Sequence, residues 1–205
     1  MIDIEKLAYI IQKGELPAQK SQIKMVSEAF RQRYFELPTN ALTRDSGVLL
    51  LLYPEQDEWV VPLIQRPSTE KGVHSGQVAF PGGKKDETDN NLIHTALREA
   101  EEEIGLDTSK IKIIGQLSPL YVFASNFMIY PTLAYTLEKP KLQANPEEVA
   151  EIFTASVSQL KNPQTIKNTL IETKNMRFET PYFDVKGKII WGATAMVLSE
   201  FIDIV

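Results

Sequence analysis

Hydrophobic and polar positions divide the chain into an N-terminal helical part and a longer part rich in strands. Near the N-terminus, apolar residues recur at helical spacing in two stripes that Pro17 separates. The first stripe consists of Ile4, Leu7, Ile10 and Ile11, and the second of Met25, Ala29, Phe30 and Tyr34. We therefore expect helix across residues 3–36, and residues 1–40 as a helical extension packed on a body formed by residues 41–205.

From Gly47 on, short apolar runs bounded by turn residues predict strands. Residues 47–53 and 58–66 are joined by the turn-forming segment 54–57, which predicts a hairpin. Further strands are predicted over residues 77–80, 111–117, 128–137 and 149–155. A second hairpin is predicted over residues 180–190, with its turn at Lys186-Gly187. Residues 157–171 are expected to form a short helical or irregular excursion, and residues 191–204 a closing helix.

A helix over about residues 91–104 has capping residues available at both ends. Thr88, Asp89 or Asn90 can serve as N-cap, and Gly105 follows the last apolar position, as a C′ glycine does. Strands mixed with segregated helices predict an α/β or α+β domain built in α/β/α layers.

Three glutamates of this helix share one face. Glu99, Glu102 and Glu103 stand at i, i+3 and i+4, so they point within an arc of roughly 100°, whereas Glu101 points to nearly the opposite side. Like charges one turn apart repel each other, so a compensating cation is expected. A hard divalent ion such as Mg²⁺ fits this set, because it prefers carboxylate and water oxygens. The alternative is a solvated acidic helix face, which is common in globular proteins.

Composition limits the chemistry of any metal site and the class of partner. There is no cysteine and there are only two histidines, so thiolate sites are excluded and a histidine zinc site is disfavoured. The net charge of −5 argues against a general nucleic-acid surface. The sequence shows neither an apolar run of membrane-spanning length nor a basic, apolar targeting segment, so we expect a cytoplasmic protein without a membrane partner.

The segment Phe80-Pro81-Gly82-Gly83 lies directly before the acidic helix. Its glycines permit a tight turn and a close approach of the backbone to a ligand. Arg98 adds a fixed positive charge beside the glutamates. We expect it to orient the carboxylates through salt bridges rather than to contact phosphate directly.

These residues resemble the signature of the Nudix hydrolases, which ends in Arg-Glu-apolar-x-Glu-Glu-x-Gly-apolar. Residues 98–106, REAEEEIGL, match that half at every specified position. In the first half the loop is one residue longer, so Gly83 and Asp89 take the glycine and acid roles. The resemblance implies a Nudix-like α/β/α sandwich around a mixed sheet. It also implies hydrolysis of a nucleoside diphosphate linked to another moiety, with Mg²⁺ or Mn²⁺ held by Glu99, Glu102 and Glu103.

A narrower resemblance, to the coenzyme A pyrophosphatase branch of that family, rests on residues 76–83, GQVAFPGG, and in part on residues 63–66, LIQR. It implies coenzyme A or acyl-coenzyme A as substrate, with 4′-phosphopantetheine and adenosine 3′,5′-bisphosphate as products. At the position where this branch usually has an arginine, this chain has Gly72. The neighbouring Lys71 is a candidate substitute, although its ammonium group differs in geometry from a guanidinium. An ADP-sugar or nucleotide pyrophosphatase, and an inactive Nudix-fold binding or regulatory protein, remain as alternatives.

The remaining candidate residues lie in loops around the signature. Candidates for contacting the substrate are Arg66, Lys71, His74, Gly82 and Gly83. A general base is expected in the signature helix or in a distant loop, where Glu147 or Glu148 is the candidate. The sequence leaves a homodimer open.

Overall fold

The computed structural model describes residues 2–34, 43–68, 76–172 and 176–205. Its centre is the long strand β1 (Arg44–Glu55), which turns at Gln56 and Asp57 into β2 (Glu58–Gln65). Both turn residues have positive φ angles of 50° and 64°, which suit a tight two-residue hairpin turn. The predicted first hairpin is confirmed.

The other elements follow in chain order. The strands are β3 (Val78–Ala79), β4 (Gly82–Lys84), β5 (Lys112–Gln116), β6 (Leu120–Val122), β7 (Phe127–Tyr135), β8 (Glu151–Ser156), β9 (Ile166–Glu172), β10 (Arg177–Val185) and β11 (Lys188–Ile190). The helices are α1 (Ile4–Lys13), α2 (Gln19–Gln22), α3 (Arg31–Tyr34), α4 (Leu92–Ile104), α5 (Val157–Lys161) and α6 (Gly192–Ile204), with short 3-10 turns at Ile23–Met25, Glu28–Phe30, Thr108–Lys110 and Pro163–Thr165.

The main sheet is mixed and has helices on both faces. Its order is β3-β2-β1-β7-β5, with β4 paired to β1, β6 to β7 and β8 to β2. β1 and β7 run parallel, and the other pairs are antiparallel. Successive side chains of a strand point to opposite faces, so Leu49 and Leu51 pack with α4 whereas Leu50 and Leu52 pack with α6 and the N-terminal segment. The expected layered α/β fold is confirmed.

One edge of β1 changes partner along its length, and we use the name cleft for the space between the end of β2 and the start of β4. β1 pairs with β4 at Ser46–Val48 and with β2 at Tyr53–Glu55. Between these points β2 leaves β1 and pairs with β8, ending at Gln65 beside β3. The start of β4 and the end of β2 therefore face each other.

The N-terminal segment is not one continuous helical stretch. The expected helical segment is confirmed over its described residues, with the interruption that was expected at Pro17: α1 ends at Gly14, which has a φ of 69°, and short helices and 3-10 turns follow Pro17 up to Tyr34, whereas residues 35 and 36 lie outside the described residues. The segment nevertheless packs on the body, since Leu7 and Met25 are buried in the core beside α6. A boundary at residue 40 stays a prediction.

The C-terminal third differs from expectation in one strand. The hairpin around Lys186-Gly187 and the closing helix α6 are confirmed. Residues 157–171 do contain α5, but they also contain most of β9, which joins β10 and β11 in a separate three-stranded sheet. Across the described stretches, no helix is long and apolar enough to cross a membrane.

Candidate active site

Helix α4 presents its acidic face at the border of the core because its other face is buried. Ala96, Ala100 and Ile104 pack under the sheet with no exposed surface. Gly105 ends the helix in the left-handed conformation, as expected, with a φ of 63°. The N-cap is Asn91, whose side chain accepts from the N–H of His94. The expected caps at Thr88, Asp89 and Asn90 are wrong, and Asp89 has a different role.

Glu103 is the most enclosed carboxylate of the acidic face, at 3% exposure. The N–H of Gly82 donates to its Oε2 at 2.8 Å, and a guanidinium nitrogen of Arg66 lies 3.7 Å from its Oε1. Burial raises the pKa of Glu103 to about 7, although the Gly82 hydrogen bond and Arg66 oppose the shift. A cation bound to the ionised carboxylate of Glu103 would therefore compensate for the hydration that this group loses on burial.

Glu99 lies directly over Gly83, one turn before Glu103. A Cβ at Gly83 would collide with the carboxylate of Glu99, so any other residue would displace that carboxylate from its position over β4. Gly82 is constrained more strictly, because its φ is 152° and a Cβ there would lie 2.5 Å from the backbone carbonyl oxygen of Gly47. Burial also raises the pKa of Glu99, and Arg98 opposes this. The two glycines therefore let the helix approach β4 closely enough to hold both carboxylates against its backbone.

Glu102 occupies the outer part of the acidic face. Its side chain is 53% exposed and accepts a hydrogen bond from Arg98 at 3.0 Å. Glu101 is exposed too.

Arg98 connects the acidic face to a buried aspartate. Its Nε and one terminal nitrogen each donate at 3.0 Å to the carboxylate of Asp89. The same guanidinium lies 2.9 Å from Glu99 as well as donating to Glu102. This geometry is consistent with the orienting role expected for Arg98.

Asp89 is completely enclosed and receives a full set of donors. Besides Arg98, the hydroxyl of Thr95 donates to it at 2.9 Å and the N–H of Asp86 at 3.0 Å. The Arg98 hydrogen bond holds the pKa of Asp89 well below its usual range. His94 is half exposed, and its Nδ1 lies 3.1 Å from Asp89. Sequence reasoning gave Asp89 the motif's acid position but did not identify Arg98 as its partner.

Glu148 lies in a loop that is tied to both sides of the cleft. The N–H of Asn145 donates to the carbonyl of Glu103, and the N–H of Ala150 donates to the carbonyl of Gln65, each at 2.9 Å. The side chain of Glu148 is exposed, and its negative charge is among the influences that raise the pKa of Glu99 and Glu103 after burial.

The structure thus brings together most residues expected at the site. These are Arg66, Gly82, Gly83, Arg98, Glu99, Glu102, Glu103 and Glu148. Lys71 and His74 lie outside the described residues.

The acidic face has the donor chemistry of a site for a hard divalent cation. It offers carboxylate oxygens, which such a cation prefers as ligands. Burial removes hydration from Glu99 and Glu103, and the arginines beside them do not fully compensate for this loss. In the part of the chain that the structure describes, no three acidic or histidine side chains converge closely enough to close a metal site. Arg98 contacts Glu99 and Glu102, so metal binding would require these side chains to rearrange.

Comparison with known proteins identifies the family. The family model described as the NUDIX domain matches residues 43–173, which include β1, β4, α4 and the Glu148 loop. The chain belongs to the Nudix hydrolase family. Enzymes of this family generally use divalent metal ions.

Relatives in bacteria and a mammal match about two thirds of this chain. A protein named "Uncharacterized Nudix hydrolase NudL" from Photorhabdus laumondii is 33% identical over 138 residues, which is 67% of this chain and 73% of that protein. The "Mitochondrial coenzyme A diphosphatase NUDT8" of Mus musculus is 38% identical over 135 residues, 64% of each chain. A MutT/nudix family protein from Enterococcus faecalis has a similar fold, with a TM-score of 0.50 at 15% identity over 98% of this chain and 73% of that chain.

Proposed function

We propose that this Nudix hydrolase cleaves the diphosphate bond of coenzyme A or an acyl-coenzyme A, with Mg²⁺ or Mn²⁺ as cofactor. The products would be 4′-phosphopantetheine, or its acyl form, and adenosine 3′,5′-bisphosphate. The observation that carries the hydrolytic part is the desolvated carboxylate face of Glu99 and Glu103 against the Gly82-Gly83 backbone.

Glu99 and Glu103 would hold the divalent ion, with Glu102 as a third ligand. Bound there, the ion would neutralise the diphosphate, align it for displacement and lower the pKa of the attacking water. Glu103 must lose its proton to serve as a ligand, and its pKa of about 7 places that ionisation near neutral pH.

The protein's other charged groups would orient the metal ligands and the substrate and would activate the attacking water. Arg98, fixed by Asp89, would stay beside Glu99 and Glu102 and orient their carboxylates once these side chains have turned towards the ion. Arg66 reaches the cleft from the end of β2 with a partly exposed guanidinium, and such a planar donor suits a phosphate. We assign Glu148 as the general base, because its exposed carboxylate lies close enough to influence both Glu99 and Glu103.

The choice of substrate rests on similarity. The mouse relative is named a coenzyme A diphosphatase, and the GQVAFPGG segment of this chain resembles that branch. Against it stands Gly72 in place of the branch's arginine. The cytoplasmic location, a homodimer and the use of Lys71 and His74 stay predictions.

A substrate panel tests this proposal. The protein is incubated with Mg²⁺ or Mn²⁺ and with coenzyme A, ADP-ribose, a diadenosine polyphosphate or a nucleoside triphosphate, and the products are separated by chromatography. We expect coenzyme A to give adenosine 3′,5′-bisphosphate at the highest kcat/KM. Cleavage of ADP-ribose with coenzyme A unchanged would overturn the substrate assignment, and no cleavage of any compound would overturn the hydrolytic proposal.

A further inference from the structure

A tight turn at Asn145-Pro146 begins the loop that carries Glu148. The side-chain oxygen of Asn145 accepts from the N–H of Glu147 at 3.2 Å. Its carbonyl oxygen accepts from the N–H groups of Glu148 at 3.1 Å and Val149 at 2.8 Å. An asparagine side chain that bonds the backbone two residues on fixes the direction of the following chain.

The same residue is bonded to the last turn of α4. The N–H of Asn145 donates to the carbonyl of Glu103, and the N–H of Gln143 donates to the carbonyl of Ile104, both at 2.9 Å. These carbonyls lie at the end of the helix, where they have no partner within it. The loop therefore begins at a fixed distance from the carboxylates of α4.

The far end of the loop is equally well held. Val149 is buried in the core beneath α4, and Ala150 is bonded to Gln65 at the end of β2. Between two fixed points, the exposed Glu148 has its backbone direction set by the turn at Asn145.

We propose that Asn145 is a positioning residue, which holds Glu148 against the carboxylate face of α4 in the geometry that its role requires. This inference rests on the proposed function of Glu148 as general base. A displacement of about 1 Å in a catalytic group can reduce a rate by up to about 100-fold, so one hydrogen bond at the turn can have a large effect on turnover.

The chain contains a matched turn far along the sequence from this loop. Asn162-Pro163 starts the 3-10 turn Pro163–Thr165, where the side-chain oxygen of Asn162 accepts from the N–H of Gln164 at 3.0 Å. Its carbonyl accepts from the N–H of Thr165 at 2.9 Å. Both turns begin with Asn-Pro, and in both the asparagine side chain accepts from the N–H two residues on, so Asn162→Ala controls for the loss of the same bond outside the site.

The experiment measures kcat and KM for the full chain with Mg²⁺ and coenzyme A, or with whichever diphosphate of the panel it cleaves. The variants are Asn145→Ala, Asn145→Asp, Asn162→Ala, Glu148→Gln and the Asn145→Ala/Glu148→Gln pair. We expect Asn145→Ala to lower kcat about tenfold or more while KM and Mn²⁺ affinity stay within about twofold. Asn145→Asp, which keeps the accepting oxygen, should recover kcat to within about threefold, and Asn162→Ala should match the parent.

The double variant separates positioning from general stability. If Asn145 acts through Glu148, adding Asn145→Ala to Glu148→Gln should cause no further loss. An equal further loss in the double variant, or Asn145→Asp as slow as Asn145→Ala, would overturn the inference. A fully active Glu148→Gln would instead overturn the proposed role of Glu148, and the inference with it.

Amide hydrogen exchange provides a readout that does not depend on turnover. The amides of Glu147 and Glu148 should exchange faster in Asn145→Ala than in Asn162→Ala. Unchanged exchange would overturn the positioning role even if the protein cleaved none of the panel. If the parent protein cleaved no compound of the panel, that result would show the failure of the proposed function independently of the exchange experiment.

Discussion

Replacing Glu103 with glutamine should stabilise the metal-free protein at high pH, although the same change should abolish turnover. Glu103 is almost completely buried, and burial raises its pKa from the ordinary 4.5 to about 7. A group whose pKa is raised in the folded state stabilises the fold in its protonated form, fully below about pH 4.5. That contribution is lost as the pH rises through about 7.

The magnitude follows from the interval between the two pKa values. Each pH unit is worth about 1.4 kcal/mol, so ionisation of Glu103 should cost the metal-free protein about 3 kcal/mol of unfolding free energy above pH 8. Glutamine stays neutral at every pH and keeps an oxygen that can accept from the N–H of Gly82. The stability difference between Glu103→Gln and the parent should therefore grow from near zero at pH 4.5 to about 3 kcal/mol at pH 8.

Urea unfolding in EDTA at a series of pH values measures this difference. Glu101→Gln is the matched control, because it removes a carboxylate from the exposed side of the same helix, and it should show no comparable dependence on pH. A Glu103→Gln protein less stable than the parent at pH 8, or a difference that does not change with pH, would show that burial of Glu103 does not raise its pKa in the folded protein.

Three further predictions concern the same face. Gly83→Ala should lower Mg²⁺ affinity and turnover at least tenfold, because the new methyl group displaces the carboxylate of Glu99. The stability in urea should change little, since that carboxylate is the flexible end of a side chain. An unchanged Mg²⁺ titration would contradict this prediction. Arg98→Lys should lower unfolding free energy by about 2 kcal/mol, since lysine cannot form the paired bonds to the buried Asp89; a loss below about 0.5 kcal/mol in the same urea assay would count against that geometry. Mg²⁺ affinity, measured by calorimetry, should fall up to tenfold per pH unit below about pH 7, as Glu103 binds a proton; a flat profile between pH 5 and 7 would argue against Glu103 as a ligand.

Sequence patterns predicted the parts of the fold in which local and global preferences agree. The apolar run of β1 packs on both faces, so the strand could be predicted from Leu49 to Leu52, and the hairpin from the turn segment 54–57 between two apolar runs. Helix α4 was predictable because its buried alanines, its acidic face and Gly105 all indicate the same element. Helix α6 was predictable from its apolar run of helical length, most of whose residues are buried.

The parts that sequence missed depend on contacts with distant residues. β9 is largely exposed and has no alternating apolar pattern, so only its pairing with β10 makes it a strand. Asp89 is an acceptable N-cap by residue type, yet Arg98, nine residues later, takes its carboxylate, and the cap falls to Asn91. The proximity of Glu148 to α4 likewise comes from backbone bonds to Glu103 that no side-chain pattern reveals.

In the proposed function, the carboxylates of α4 support metal-dependent hydrolysis of a diphosphate. The most direct test follows release of adenosine 3′,5′-bisphosphate from coenzyme A by the parent and by Glu103→Gln, each with Mg²⁺ and with EDTA. We predict release by the parent with Mg²⁺ alone, and a loss of at least about 100-fold in the other three reactions. Equal release in EDTA, or from the Glu103→Gln protein, would contradict the claim.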